Sequence, residues 1–315
     1  MKKIVVLGDV KTLDYEIAEF SKRNDAELVC FYERGQEEIM KATRDADVFL
    51  YSGAQINREI IDNMQRCRLI CRYGIGYDDI DFKRAAERGI MVCNAPNYGV
   101  IDVAEHAVAL LLACSKRLIY MNDRVRDKSW TIVGSSSRMA NKTIGFIGFG
   151  KIARCVCTRT NALGMKPIVY DPYIKGECLE EFGAESVCLE TLLQTADYIT
   201  IHSPLNAETR HMLGMNEFLK MKRTAYLVNT SRGGLINEPE LVDALQNGVI
   251  AGAGLDVFEE ESAKLDSRLL SMKNVTLTPH VAWNTAEAAG ALHKEVTDNV
   301  IRYLNGEKPL NIVNM

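Results

Sequence analysis

The sequence has no long apolar run. The longest uninterrupted one, Ala107 to Cys114, is far too short to span a bilayer, so no membrane partner is expected. The opening MKKIVVLGDV meets Asp9 and Lys11 too soon for a signal peptide and reads as a first strand. There is no basic excess either. A net charge of -4 offers no global field to nucleic acid or to an anionic surface. The 9 cysteines are odd in number and show no C-x-x-C spacing. That argues against a disulfide frame and a zinc site, and for free thiols in a reducing cytoplasm with no bound metal. Cys155 and Cys157 fall in a helical pattern and read as packing residues. Short repeats and low-complexity tracts are missing too. What remains is 315 residues, 47% apolar and 25% charged, which suits a soluble globular protein of two domains.

Short apolar runs alternate with helical patterns. Lys3–Leu7, Glu27–Phe31, Val48–Tyr51, Leu69–Arg72 and Met91–Cys93 read as buried strands, with helices such as Asp14–Lys22, Gln36–Ala42 and Phe82–Glu87 between them. A second series of strands starts near Lys142: Thr143–Ile147, Pro167–Tyr170, Tyr198–His202, Ala225–Val228, Gly252–Asp256 and Val275–Leu277. Such alternation means parallel sheets covered by helices on both faces. One long helix, Ile101 to Tyr120, is expected to connect the two series. A last helix, Thr285 to Leu304, has no strand after it and most economically packs back on the first series. The pattern predicts an α/β chain with a discontinuous domain, residues 1–99 and 287–315, and an inserted domain, residues 100–286.

The stretch TIGFIGFGKIARC ends a strand at Ile147 and opens a helix through Gly148-Phe149-Gly150-Lys151-Ile152-Ala153. In this G-x-G-x-x-A, Gly148 permits a tight turn, Gly150 leaves room for a pyrophosphate, and Ala153 lets the helix lie close to the strand. The helix N-terminus presents N–H groups to the phosphates. Strand–turn–helix context makes this more than a bare glycine pattern. Asp171 ends the next strand, where an acid accepts the ribose hydroxyls of NAD and repels the 2′-phosphate of NADP. It also reads as an ordinary turn aspartate before Pro172.

VNTSRGG, Val228 to Gly234, puts a guanidinium at the end of a buried run, beside glycines that let something approach the backbone. Two further polar groups follow strands of the same series: a glutamate in the run Glu259–Glu261, and His280 after VTLTP. Carboxyl ends of strands face the ligand crevice of a doubly wound sheet. Together these groups suit hydride transfer to a 2-keto acid. The guanidinium fork matches a carboxylate, the imidazole exchanges a proton with the carbonyl oxygen, and a carboxylate orients the imidazole and favours its charged form. The residues alone do not choose among the three glutamates.

From about Leu69 to Leu304 the chain resembles the D-isomer-specific 2-hydroxyacid dehydrogenase family. RYGIGYDDID, TIGFIGFGKIA, VYDPY, IHSPLNAETRHML, VNTSRGGLINEPELVDAL, AGAGLDVFEEE and LTPHVAW stand in the family's order and at its spacing. The resemblance implies two doubly wound parallel-sheet domains, an inserted Rossmann dinucleotide-binding domain and a discontinuous flavodoxin-like substrate domain. It implies NAD as cofactor and a small 2-keto or 2-hydroxy acid as substrate. It places the catalytic set on Arg232, Glu261 and His280. Cofactor contacts fall on Gly148, Gly150, Lys151, Ile152, Asp171, His202, Ser203, Pro204, Asn229, Thr230, Ser231 and Asp256, with Asp256 approaching the nicotinamide amide. Main-chain N–H groups of Tyr73, Gly74, Ile75 and Gly76 would meet the substrate carboxylate. Two features depart from the family. Ser262 follows Glu261 where many members have proline, and the sequence stops at Met315 without the regulatory extension of some phosphoglycerate dehydrogenases.

Arg72 ends a first-series strand just before that loop and reads as a second cation near the substrate's distal end, or else as a strand cap paired with Asp78 or Asp79. Trp283 reads as an apolar pocket wall, or as packing under the terminal helix. Together they favour hydroxypyruvate or glyoxylate over a phosphorylated acid. Tyr120 to Trp130 lies where the family builds a dimer arm, so a homodimer is expected; the bland reading is a surface helix with one buried tryptophan. The runner-up function is an NAD(H)-sensing binding protein like the C-terminal-binding-protein corepressors, although no long disordered flank or basic patch supports it.

Overall fold

The structure is a computed structural model that describes residues 1–8, 12–131, 134–174, 176–261 and 266–315. It divides into two compact units, Met1–Gly99 with Thr285–Met315, and Val100–Asn284.

The first unit runs β1 (Lys2–Leu7), α1 (Asp14–Phe20), β2 (Ala26–Phe31), α2 (Gln36–Thr43), β3 (Val48–Tyr51), α3 (Arg58–Asn63), β4 (Leu69–Arg72), α4 (Phe82–Glu87) and β5 (Met91–Cys93). All strand pairs are parallel, in the order β2-β1-β3-β4-β5. Central strands have no polar face. Val48, Phe49, Leu50 and Tyr51 are each 0% exposed, as a sheet covered on both sides requires.

The second unit begins with α5 (Val100–Lys116) and α6 (Leu118–Arg126). The sequence predicts one helix from Ile101 to Tyr120, and the chain forms two. Arg117 takes φ 54, in the left-handed region that interrupts a helix. The apolar pattern runs on past the break, yet Leu118 and Ile119 are 53% and 49% exposed, whereas Ala104, Ala107 and Leu111 of α5 are buried. Periodicity reports composition, and here it overran the end of the buried face. Trp130, at 84% exposure, is not a buried tryptophan.

The chain continues through β6 (Thr143–Ile147), α7 (Lys151–Ala162), β7 (Lys166–Tyr170), α8 (Glu177–Glu180), β8 (Glu185–Ser186), α9 (Leu189–Thr195), β9 (Tyr198–Ile201), α10 (Met215–Phe218), β10 (Tyr226–Asn229), α11 (Glu238–Gln246), β11 (Gly252–Leu255), α12 (Ser267–Ser271) and β12 (Val275–Leu277). These strands form one parallel sheet in the order β12-β11-β10-β9-β6-β7-β8. β8, a two-residue exposed edge strand, is too short to leave a pattern in the sequence. β6 lies between β9 and β7, so the order reverses there and a crevice opens at the carboxyl ends of β6 and β9.

α13 (Ala286–Leu304) returns to the first unit and packs on α1 and β4. Thr285 caps it by accepting from the Ala288 N–H at 3.0 Å. Among the described residues no helix is long and apolar enough to cross a membrane.

Candidate active site

The glycine loop follows β6, whose core residues Ile144, Phe146 and Ile147 are buried. Gly148 takes φ 84, and a Cβ there would stand 2.7 Å from Ser203 Oγ and 2.8 Å from the His202 carbonyl oxygen. Only glycine fits. At Gly150 no atom lies within 4 Å of where a Cβ would be, so the approach to the backbone is open. Gly150 is the N-cap of α7 and makes no side-chain bond to the helix. Ala153 is wholly buried against the sheet.

Asp171 follows β7. Its Oδ2 accepts from the Phe149 N–H at 2.8 Å and its Oδ1 from the Tyr173 N–H at 2.9 Å. The carboxylate is therefore tied to the glycine loop, yet each oxygen keeps a lone pair for a ribose hydroxyl. After β9, His202 lies with Nε2 2.9 Å from Thr200 Oγ1 and its ring stacked on Phe146. Desolvation pushes its pKa down to about 3, so it is neutral at neutral pH. Ser203 Oγ donates to the Ile147 carbonyl, and Pro204 accepts from Thr209 Oγ1.

After β10 the side chain of Asn229 brackets the next turn. It donates to the Arg232 carbonyl at 2.8 Å and accepts from the Ser231 N–H at 3.0 Å. Thr230 Oγ1 is buried and has no hydrogen-bond partner among the described residues. Arg232 is extended, with Nη1 donating to the Ser231 carbonyl at 2.9 Å. The glycine after it answers part of the puzzle of VNTSRGG. A Cβ on Gly233 would fall 1.9 Å from the Phe258 carbonyl carbon. What approaches this backbone is the chain's own segment after β11, and Gly233 lets the two run in contact.

Asp256 follows β11 and is wholly buried. Its Oδ1 accepts from Thr278 Oγ1 at 2.6 Å and the Val281 N–H at 3.0 Å, and its Oδ2 from the Ala282 N–H at 2.9 Å. The turn that carries His280 is thus wrapped around this carboxylate. His280 itself takes φ 53, a left-handed conformation uncommon outside glycine, with its N–H on the Asp256 carbonyl at 2.8 Å. His280 Nδ1 is 2.7 Å from Glu261 Oε2. The neighbouring Glu259 instead pairs with His211. So of the acidic run it is Glu261 that meets His280. Ser262 lies outside the described residues. Trp283 is partly buried.

In the first unit, Arg72 Nε lies 3.0 Å from Asp79 Oδ2 and 3.2 Å from Oδ1, and Nη1 donates to the Tyr73 carbonyl. Both side chains are largely buried, at 14% and 12% exposure. Its charge is spent on Asp79, the pairing left open above, which removes the basis for a second cation aimed at a ligand. Gly74, at φ 145, allows this, since a Cβ there would collide with Arg72 Nη1 at 1.7 Å. The Tyr73 N–H is also committed, to the Tyr51 carbonyl at 2.9 Å. Asn94 Nδ2 holds the Ile75 carbonyl at 2.6 Å, and the Ala95 N–H holds that of Gly74 at 3.0 Å.

Several residues have no signal in the sequence. Tyr73 OH donates to the buried Glu16 at 2.8 Å, and His293 Nδ1 meets the same oxygen at 2.7 Å. The burial and the carboxylate push the Tyr73 pKa well up. In the second unit His106, on α5, reaches Thr278. These are contacts across large sequence separations, which no local pattern encodes.

The second unit fits a pyridine dinucleotide by its own geometry. It has an open cradle at Gly150, a helix that starts there without a side-chain cap, an acid held to the glycine loop at the end of the next strand and, among the described residues, an unpartnered hydroxyl at Thr230. Comparison with known proteins agrees. Residues 108–282 match the model of the D-isomer specific 2-hydroxyacid dehydrogenase, NAD binding domain. The chain is 39% identical over 282 residues to the glyoxylate reductase of Korarchaeum cryptofilum, covering 88% of this chain and 85% of that one. It is 40% identical over 283 residues to the D-3-phosphoglycerate dehydrogenase of Methanocaldococcus jannaschii, covering 89% of this chain and 54% of that one. The D-lactate dehydrogenase of Aquifex aeolicus, solved with NAD and lactic acid, superposes with a TM-score of 0.90 at 27% identity, covering 100% and 99% of the two chains. Motif order, sheet topology and these relatives converge, and the chain belongs to the D-isomer specific 2-hydroxyacid dehydrogenases as an NAD-dependent enzyme.

Proposed function

We propose that the protein interconverts a small polar 2-keto acid, of the glyoxylate or hydroxypyruvate class, and its D-2-hydroxy acid, with His280 as acid and base. The observation that carries this is the His280–Glu261 contact of 2.7 Å. Glu261 occupies Nδ1 and fixes the ring, so Nε2 is the nitrogen that exchanges a proton with the substrate oxygen. Arg232 holds the substrate carboxylate with its planar fork and polarises the carbonyl. NADH, when bound, supplies the hydride. The Gly74, Ile75 and Gly76 amides are the proposed carboxylate donors of the first unit, since the Tyr73 amide is engaged. Trp283 is the proposed apolar wall. With Arg72 paired to Asp79, that arginine lends no support to a phosphorylated substrate. One relative is named for glyoxylate and another for phosphoglycerate. The test is kcat/KM for NADH oxidation with glyoxylate, hydroxypyruvate, pyruvate and phosphohydroxypyruvate. Glyoxylate or hydroxypyruvate should lead, and a clear preference for phosphohydroxypyruvate would overturn the substrate class.

Asp171 is proposed to set cofactor choice. Its carboxylate is locked to the glycine loop by the Phe149 N–H and cannot swing away from a 2′-phosphate. Asp171→Ser should relax discrimination against NADPH by about tenfold, the equivalent of one relieved charge repulsion. An unchanged ratio of kcat/KM for NADH and NADPH would sink the idea.

A further inference from the structure

We infer that His106 and Thr278 are positioning residues that hold the proton-transferring His280 in place through the buried carboxylate of Asp256. This rests on the reading of His280 as the catalytic acid. The chain of contacts has a defined direction. Thr278 Oγ1 lies 2.6 Å from Asp256 Oδ1 and 2.9 Å from His106 Nε2. A hydroxyl has one proton, and the carboxylate can only accept, so Thr278 donates to Asp256. Toward His106 the same oxygen must accept, which fixes His106 as the Nε2–H donor. His106 Nε2 is also 3.5 Å from Asp256 Oδ1. Asp256 in turn receives the Val281 and Ala282 amides, and its carbonyl receives that of His280.

The arrangement gives His106 a task that core packing would not need. His280 sits in a left-handed conformation at φ 53, which persists only when its surroundings over-determine it. Two amides on one wholly buried carboxylate and one on its carbonyl do so. The Thr278 hydroxyl adds a third hydrogen bond to that carboxylate, and the His106 N–H holds the hydroxyl that way round. His106, Thr278, Asp256 and His280 all lie in the second unit, on α5 and on the carboxyl ends of β11 and β12.

The experiment is a set of single and double variants. His106→Phe and Thr278→Val each remove one link and should lower reductive kcat about tenfold, the equivalent of one buried hydrogen bond. KM for the keto acid should stay within about twofold to threefold, because neither residue is proposed to touch the substrate. His106→Gln, which keeps an N–H donor near Nε2, and Thr278→Ser, which keeps the hydroxyl, should recover most of the loss. In a His280→Gln background His106→Phe and Thr278→Val should cost nothing more, since the group they position is gone. If His106→Phe does not fold, Thr278→Val reads the same link with nearly unchanged shape. Full losses in the His280→Gln background, or no loss from Thr278→Val in the wild type, would overturn the inference and leave the acid assignment standing. A His280→Gln single variant with wild-type kcat would instead remove the acid assignment, and this inference with it.

Discussion

His280→Gln should lower reductive kcat by about a hundredfold or more, the usual scale for losing a positioned general acid. The imidazole stands at the end of β12, held at Nδ1 by Glu261 at 2.7 Å and by its own amide on the Asp256 carbonyl at 2.8 Å. Glutamine is chosen because its amide can still donate a hydrogen bond from nearly the place of Nε2 but cannot give up a proton near neutral pH. Ground-state polarisation of a keto group would therefore survive while proton transfer would not. KM for the keto acid should move little and kcat should carry the loss, which marks an interaction made in the transition state. Kd for NADH, read from protein fluorescence, should be unchanged. Glu261→Gln should show the same pattern with a smaller loss, because it leaves the acid in place, keeps an amide oxygen that can accept at Nδ1, and removes only the carboxylate's charge. A His280→Gln enzyme within tenfold of wild-type kcat would assign the proton to another group.

The parts of this site that rest on local chain geometry were legible from the residues. Gly148 and Gly150 announce themselves because a tight turn and an open helix start need glycine at fixed spacing, and the sheet order puts them at the reversal between β6 and β9. Asp171, Arg232 and His280 were legible as polar groups at the ends of buried runs. The choice among Glu259, Glu260 and Glu261 was not. Three identical side chains in sequence differ only in where the backbone aims them, and the loop aims Glu259 at His211 and Glu261 at His280. Arg72 has the same limit. An arginine before a glycine loop looks like a ligand cation until Asp79 is placed 3.0 Å away. The break at Arg117 was not legible for another reason, since an apolar helical pattern running through residue 120 carries no mark of one left-handed residue. Glu16 with His293, and His106 with Thr278, join positions 277 and 172 residues apart, and only the fold brings them together.

Arg232→Lys should cost about ten- to a hundredfold in kcat/KM while leaving Kd for NADH within about twofold. The backbone under this residue has little freedom. Asn229 clamps the Arg232 carbonyl at 2.8 Å, and Gly233 brings the chain so close to Phe258 that a single methyl group would meet its carbonyl carbon at 1.9 Å. The side chain therefore starts from a fixed point, and only its own geometry decides what it can hold. Arginine offers two parallel N–H groups matched to a carboxylate. Lysine from the same point offers one compact ammonium on a flexible stem, with the charge preserved and the fork lost. One of two charge-assisted hydrogen bonds is forfeited, worth about 1.5–3 kcal/mol, which is the origin of the expected range. The loss should be larger for 2-keto acids than for a keto compound lacking the carboxylate, measured as the ratio of the two kcat/KM values in each enzyme. If both fall equally, Arg232 supports the loop and does not grip the carboxylate. If Arg232→Lys keeps near-wild-type turnover on both, a point charge is sufficient and the bidentate role is wrong.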